Sequence, residues 1–140
     1  MILLDTNVLS ELMRADPNPH VEQWLGSQPD ASIFISAITE AELRYGAALL
    51  PSGKRRSALT TEIEAMLKDD FSGRILPFDS LAAQAFATIA ASRRQAGRLI
   101  SQADAQIAAI ARSRRASLAT RDVDDFAGCE VEIINPWKPG

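Results

Sequence analysis

The stretch Ile2-Leu3-Leu4-Asp5-Thr6-Asn7 decides how this chain folds. Its three apolar residues, 2–4, are typical of a short strand that is buried on both faces of a sheet. The polar residues 5–7 end that run and favour a loop or the start of a helix. Apolar residues then recur at helical spacing over 8–14, until prolines interrupt the pattern. The sequence therefore predicts a strand that leads directly into a helix.

The same alternation of strand and helix continues along the chain. Further short apolar runs predict strands over 33–35, 74–78, 117–120 and 131–134. Amphipathic segments predict helices over 21–25, from 38 to about 50, from 54 to about 70, over 81–96 and from about 101 to 111. Strands that alternate with helices form parallel sheets with helices on both faces. We expect an α/β fold, an α/β/α sandwich with a central parallel sheet, in one domain spanning residues 1–140.

The composition is that of one soluble globular domain. The 140 residues are 46% hydrophobic and 24% charged, and 18 acidic against 15 basic residues give a formal charge of −3. This balance lacks the basic excess that is typical of nucleic-acid-binding proteins. The single cysteine, Cys129, excludes an internal disulfide and any multi-cysteine metal site. The longest apolar run, 107–111, is far shorter than the roughly 18 residues that span a bilayer, and no export signal is evident. We expect a cytoplasmic protein without a membrane segment.

Four carboxylates fall close to the ends of the predicted strands. Asp5 follows the first strand, Glu42 lies in the first turns after the second, Asp104 lies early on a later helix and Asp122 follows the strand over 117–120. Because the carboxyl ends of parallel strands meet at one edge of a sheet, we expect these side chains to converge there. Left alone they would repel one another, so a cation is needed to stabilise the cluster. Mg²⁺ or Mn²⁺, which prefer oxygen ligands, would suit the site and can activate water against a phosphodiester.

Each of these acids also has a purely structural interpretation. Thr39 with Glu42, and Ser101 with Asp104, match the pattern in which a hydroxyl caps a helix and an acid three residues later completes the cap. Asp5 can be a plain helix cap, and the last acid can belong to a solvated turn. Capping does not require acids to follow separate strands at the same edge of a sheet, whereas a metal site does. The joint pattern therefore favours the metal site.

Other catalytic chemistries lack the residues they need. His20 is the only histidine, which disfavours a histidine-based triad or a zinc site. Gly53-Lys54 does not form a phosphate-binding loop, because no glycine precedes it at the required spacing and Arg55 follows it. The acids remain the candidates for chemistry.

The motifs that carry these acids occur in the order found in one known family. They are Asp5-Thr6-Asn7, Ala41-Glu42-Leu43-Arg44, residues 103–109 and Ala119-Thr120-Arg121-Asp122. With these motifs in register over nearly the whole chain, the sequence resembles the PIN domain in the version found in bacterial VapC toxins. Three further stretches are most similar to the FitB-like branch of that family: residues 36–39, 73–79 and 135–137.

The resemblance implies an endoribonuclease that depends on Mg²⁺ or Mn²⁺ and acts as the toxin of a type II toxin–antitoxin system. It implies that four acids bind the metal and carry the catalysis: Asp5, Glu42, Asp104 and Asp122. Asn7 and Thr120 would orient those carboxylates. Asp125 is an additional candidate acid, because several acids crowd the last motif.

The same resemblance implies a set of partners. RNA is the expected substrate, and Arg121, next to Asp122, is the candidate RNA contact. A VapB-like antitoxin would neutralise the chain, and operator DNA would be bound only through that antitoxin. The chain is expected to form a homodimer or a larger toxin–antitoxin assembly.

Two questions stay open at the level of sequence. Arginine pairs and triplets over 55–56, 93–98 and 112–115 are either solvated helix faces paired with acids or phosphate contacts beside the site. The function also has alternatives. The chain can be a catalytically weak or inactive PIN module that serves mainly as the antitoxin's partner in an operator-binding repressor, or a metal-dependent DNase.

Overall fold

A sheet of five parallel strands forms the centre of the computed structural model, which describes residues 1–138. The strands are β1 (Ile2–Leu4), β2 (Ile33–Ser36), β3 (Ile75–Leu76), β4 (Ser117–Ala119) and β5 (Ile133–Ile134). They lie in the order β3-β2-β1-β4-β5, and each neighbouring pair is parallel. From β1 the chain builds outward through β2 and β3 on one side, and then returns to build β4 and β5 on the other. The direction of winding therefore reverses at β1.

Helices fill the connections between these strands. They are α1 (Thr6–Leu12), α2 (Pro19–Gly26), α3 (Ala37–Ala48), α4 (Lys54–Asp69), α5 (Ser80–Gln95) and α6 (Gln102–Ser113). Two short 3₁₀ helices occur over Asp30–Ser32 and Val123–Phe126. Among the helices of residues 1–138, none combines the length and the apolar character needed to cross a membrane.

Both faces of the sheet are covered by helices. Neighbouring residues of a strand point to opposite faces. Leu3 and Leu118 pack into one core with α5 and α6, whereas Leu4 and Ala119 pack into a second core with α1 to α4. All four side chains are fully buried. The predicted α/β/α sandwich with a parallel sheet is confirmed.

The first helix begins and ends two residues earlier than the apolar spacing predicts. It begins at Thr6 because Asp5, directly after β1, takes the N-cap position. The prolines at 17 and 19 do not end this helix, contrary to the prediction, because it already stops at Leu12. Pro19 occupies the first position of α2, where the missing N–H leaves no hydrogen bond unmade, and Asn18 caps that helix by accepting the His20 N–H at 2.9 Å.

The two edge strands are shorter than predicted. The predicted strands over 74–78 and 131–134 each contribute only two residues, β3 and β5. Each edge strand pairs with a single neighbour, and Pro77 directly after β3 has no N–H to extend its ladder.

Candidate functional site

The carboxyl ends of β1 and β4 lie side by side and set the frame of the site. The backbone N–H of Asp5, one residue after β1, donates to the carbonyl of Ala119 at 2.9 Å. Thr120 then follows β4 at the same edge. Because the winding of the sheet reverses at β1, this edge is the position where open α/β sheets bind their ligands.

Asp5 is buried at this edge and held by two hydrogen bonds. Only 5% of the residue is exposed. Its Oδ1 accepts the Thr6 N–H at 2.8 Å, and its Oδ2 accepts the Thr120 hydroxyl at 2.7 Å. Burial raises the pKa of Asp5 to about 6. The two hydrogen bonds oppose that rise, and the charges of Asp104 and Glu42 add to it. The carboxyl group is thus partly protonated near neutral pH when no cation is bound.

The Thr120 hydroxyl connects Asp5 with Asp122. While it donates to Asp5, it accepts the Asp122 N–H at 3.0 Å and the Asn7 side-chain amide at 3.3 Å. The Asn7 amide also donates to Oδ2 of Asp122 at 3.1 Å. The Arg121 N–H donates to the side-chain oxygen Oδ1 of Asn7 at 3.4 Å. Asn7 and Thr120, predicted to orient the acids, therefore contact Asp122 and Asp5.

Glu42 reaches the same edge from α3, where it contacts α1. The Thr6 hydroxyl donates to Oε1 of Glu42 at 2.7 Å. The Thr6 and Thr39 hydroxyl oxygens are 3.0 Å apart, and those of Thr39 and Ser36 are 3.3 Å apart. A consistent direction of donation runs from Ser36 through Thr39 and Thr6 to the carboxylate. This chain of hydroxyl groups fixes α3 against the start of α1.

The capping interpretation of Glu42 is wrong. Ser36, and not Thr39, caps α3, because its hydroxyl accepts the Thr39 N–H at 3.0 Å. Thr39 lies in the first turn and is completely buried. Glu42 is therefore not the acid of a capping pair.

The capping interpretation of Asp104 is correct in part. Ser101 caps α6 and accepts the Asp104 N–H at 3.1 Å. Burial raises the pKa of Asp104; a hydrogen bond between the Ser101 side chain and the Asp104 carboxylate lowers it, and the charges of Asp125, Glu42 and Asp122 raise it further. The carboxylate thus lies in the negative field of acids from two other segments, α3 and the 3₁₀ helix with its N-cap, which capping does not require.

The acids share this field without forming a tight cage. Within the described part of the chain, no three acidic, histidine or cysteine side chains lie close enough to make a ready-made metal-binding group. The donors are nevertheless hard carboxylate oxygens, and one of them is buried with its pKa raised. This donor set fits Mg²⁺ or Mn²⁺ better than softer ions, because Mg²⁺ retains several of its water ligands and needs few direct protein ligands.

The sequence matches a known family over most of its length. The family model for the PIN domain matches residues 2–128.

The chain belongs to the PIN-domain family.

Relatives of this PIN domain match it almost end to end. VapC ribonuclease Y4jK from Sinorhizobium fredii is 42% identical over 139 residues, with 99% of each chain covered. Toxin FitB from Neisseria gonorrhoeae is 44% identical, with 98% of this chain and 99% of that protein covered. A solved structure of FitAB bound to an IR36 DNA fragment superposes with a TM-score of 0.93 at 43% identity, covering 100% of this chain and 98% of that chain. The predicted resemblance to VapC and FitB toxins is confirmed.

The PIN domain places two hydroxyl residues at the site that the sequence pattern did not indicate. Thr6 contacts Glu42 directly, and Thr39 supports Thr6. The only signal for Thr6 is its position between Asp5 and Asn7. Its partner lies 36 residues away, so the contact depends on how α3 packs against α1.

Most arginines that lie away from the four candidate acids have structural contacts. Arg112 pairs with Glu130 at 3.0 Å and Arg114 with Asp79 at 3.6 Å. The sequence offered two interpretations for the cluster of Arg93, a solvated helix face or a phosphate contact. Both are wrong for this residue, because Arg93 is buried.

Arg121, the candidate RNA contact, lies beside the acids and is exposed. Its guanidinium stacks 5.4 Å from the centre of the Trp137 ring. Its charge also lowers the pKa of Glu11, a smaller effect than the hydrogen bond from the Asn18 N–H to that carboxylate. The guanidinium is therefore held at the rim of the site by an aromatic surface and a nearby acid.

Proposed function

We propose that this chain, as one PIN domain over residues 1–140, is the toxin of a toxin–antitoxin pair and a metal-dependent endoribonuclease. Relatives that match almost its whole length are named a VapC ribonuclease and Toxin FitB. PIN-domain nucleases generally depend on divalent metal ions. The proposed substrate is RNA, and the proposed location is the cytoplasm.

A single observation carries this proposal. Carboxylates from four separate segments share one electrostatic field at the reversal point of the sheet, and the central one, Asp5, is buried with its pKa raised to about 6. Capping of α1 accounts for an acid at position 5 but does not require it to be buried among other acids, whose repulsion destabilises the fold.

The proposed roles follow from the contacts of each side chain. Asp5, Glu42, Asp104 and Asp122 would hold Mg²⁺ or Mn²⁺, with Asp125 as the additional candidate acid. When bound, such an ion lowers the pKa of a water molecule and offsets charge on a phosphodiester. Thr120 and Asn7 orient Asp5 and Asp122, and Thr6 orients Glu42. Arg121 would contact the RNA backbone at the rim.

The partners are proposed from the assemblies named for structural relatives. Those assemblies include FitAB bound to a DNA fragment and FitAcB from Neisseria gonorrhoeae. By analogy, a VapB-like antitoxin would neutralise this chain, and operator DNA would be bound only through that antitoxin. A homodimer or a larger toxin–antitoxin assembly is proposed on the same ground.

Cleavage of defined RNA by the purified chain tests the activity. We expect cleavage with Mg²⁺ or Mn²⁺, none with EDTA, and a loss of about 100-fold or more in Asp5→Asn and Asp104→Asn with unchanged circular dichroism. Asp122→Asn should be more damaging than Asp125→Asn. Asp124→Asn, an exposed acid on the same 3₁₀ helix, is the matched control and should cut normally.

Three results would contradict parts of this proposal. Undiminished cleavage by both Asp5→Asn and Asp104→Asn would show that these acids do not form the active site. A chain that binds its antitoxin but cuts no RNA would be the inactive repressor module. Cleavage of DNA alone would make it a DNase.

A further inference from the structure

Arg93, in the last turn of α5, is buried without an acidic partner. Only 7% of the residue is exposed, and its guanidinium forms no ion pair with any carboxylate of residues 1–138. It donates instead to backbone carbonyls. Nε donates to Arg98 at 2.7 Å, and Nη1 donates to Asp125 at 2.8 Å and to Ala127 at 3.0 Å. The guanidinium thus makes three hydrogen bonds to main-chain oxygens, and Nη1 also contacts the Cys129 sulfur at 3.7 Å.

These carbonyls belong to two segments that carry different acids of the site. Arg98 lies in the connection from α5 to α6, three residues before Ser101, which caps α6 at Asp104. Asp125 belongs to the 3₁₀ helix after β4, which Asp122 precedes as its N-cap residue. Arg93 therefore joins the connection between α5 and α6 to the 3₁₀ helix after β4.

The contact with Arg98 is reciprocal. While the Arg93 side chain donates to the Arg98 carbonyl, the Arg98 N–H donates back to the Arg93 carbonyl at 2.9 Å. Gly97 makes this turn with a φ of 71°, a conformation that favours glycine. The connection is thus held in one conformation by hydrogen bonds. The contacts of Arg93 with it can therefore fix where α6 begins.

A buried arginine is a costly way to fill this space. Removing a guanidinium from water is unfavourable when no acid compensates it, and an aliphatic side chain of similar volume has no such cost. What an aliphatic side chain cannot do is donate to three carbonyls in two different segments. An arginine at position 93 therefore indicates that its hydrogen bonds between the two segments are needed for more than filling the space.

Building on the proposed function, we propose that Arg93 is a positioning residue of the nuclease site. It holds the 3₁₀ helix over Val123–Phe126 against the connection that leads into α6, so that Asp122 and Asp125 stay close to the segment that carries Asp104. It touches neither the metal nor the RNA. It acts only through the backbone that carries these acids.

Two substitutions of Arg93 and one matched control test this role. Arg93→Met keeps most of the volume but has no donors, Arg93→Lys keeps the charge and some donors, and Arg94→Met alters the exposed neighbour. Each protein is measured for Mn²⁺ affinity by calorimetry, for amide hydrogen exchange over 122–129 without metal, and for kcat and KM on RNA.

We expect Arg93→Met to bind Mn²⁺ about 10- to 100-fold more weakly, with a similar loss in kcat. Amide exchange over 122–129 should be faster, and KM should stay close to that of the wild type. Arg93→Lys should recover part of each loss, because its ammonium group can still donate to some of the carbonyls. Arg94→Met should behave as the wild type.

A purely structural role predicts a different set of results. Both Arg93 variants would melt at lower temperatures, yet their folded forms would bind Mn²⁺ and turn over RNA like the wild type; this result would overturn the proposal. If Arg93→Met does not fold, the same measurements of Mn²⁺ affinity, amide exchange and kcat on Arg93→Lys decide between the two roles. A wild-type chain that cuts no RNA would contradict the proposed function, whereas Mn²⁺ affinity and amide exchange would still decide the positioning role.

Discussion

At the scale of single residues, Asp5 combines burial, two hydrogen bonds and acidic neighbours. The hydrogen bonds favour its ionised form, but burial outweighs them and the neighbouring charges add to its effect. A buried acid whose pKa rises from 3.8 to about 6 disfavours the folded state at neutral pH by about 3 kcal/mol. The metal-free protein thus carries a site that weakens its own fold.

The metal-free protein should become more stable as the pH falls from 7.5 to 5. The folded state binds a proton at Asp5 in this range and the unfolded state does not, so the free energy of unfolding should rise by roughly 1 kcal/mol. Asp104, whose pKa is also raised, acts in the same direction. The lowered pKa of Glu11 acts in the opposite direction, chiefly below this range. Urea unfolding in EDTA at each pH measures the effect.

Two variants serve as controls for this pH effect. Asp5→Asn should lose most of the dependence and should melt no lower than the wild type at pH 7.5, because it removes the buried charge. Asp16→Asn, which alters an exposed acid, should retain the wild-type dependence. A wild-type protein that loses stability between pH 7.5 and 5 would contradict the assignment of a raised pKa to Asp5.

At the scale of secondary-structure elements, the site depends on how α1 and α3 begin. Both helices start immediately after a strand, and each places a hydroxyl residue in its first turn. Those two residues, Thr6 and Thr39, are in contact and lead to Glu42. The position of one catalytic candidate is therefore set by the packing of two strand-to-helix connections.

Thr6→Val should weaken catalysis more than it weakens the fold. Valine has nearly the same shape but cannot donate to Glu42, so kcat should fall about tenfold. The free energy of unfolding should fall by about 1 kcal/mol, the usual contribution of one hydrogen bond. RNA cleavage kinetics and thermal melting measure both. Thr60→Val on the exposed face of α4 is the matched control, and equal kcat in the two variants would contradict a role for Thr6.

The elements of the fold were largely predictable, because they depend on local patterns. Apolar runs located all five strands, and helical spacing located all six helices. The errors fell where a tertiary or capping contact decides the boundary. Asp5 starts α1 early, Ser36 takes the cap that the pattern gave to Thr39, and the edge strands are short because each pairs on one side only.

At the scale of the whole molecule, metal binding at the proposed site would be coupled to stability. An ion that binds only the folded state stabilises it by RT ln(1 + [L]/Kd), about 2.7 kcal/mol at a concentration of 100 Kd. The wild-type melting temperature should therefore rise steadily with Mn²⁺ concentration. In Asp104→Asn the rise should need much higher concentrations, as differential scanning fluorimetry can show. Equal shifts in both proteins would place the metal elsewhere.

The candidate site was predictable only as a set of acids. The fold rule that strand ends meet at one edge was sufficient to group Asp5, Glu42, Asp104 and Asp122. It gave no information on what supports them. Thr6 and Arg93 were beyond reach, because their partners lie 36 and 32 residues away and become neighbours only in the packed molecule. The sequence around an arginine also does not show whether its side chain is solvated or buried.

The strand order has a consequence for the synthesis of this protein. β1 is made first but lies in the middle of the sheet, and Asp5 is separated by 115 residues from Thr120, which holds its carboxylate. A chain still on the ribosome therefore has no complete acid set until β4 has emerged. If the proposed nuclease function is correct, its activity can begin only when translation is nearly finished, at the stage when the proposed antitoxin would first meet a folded chain.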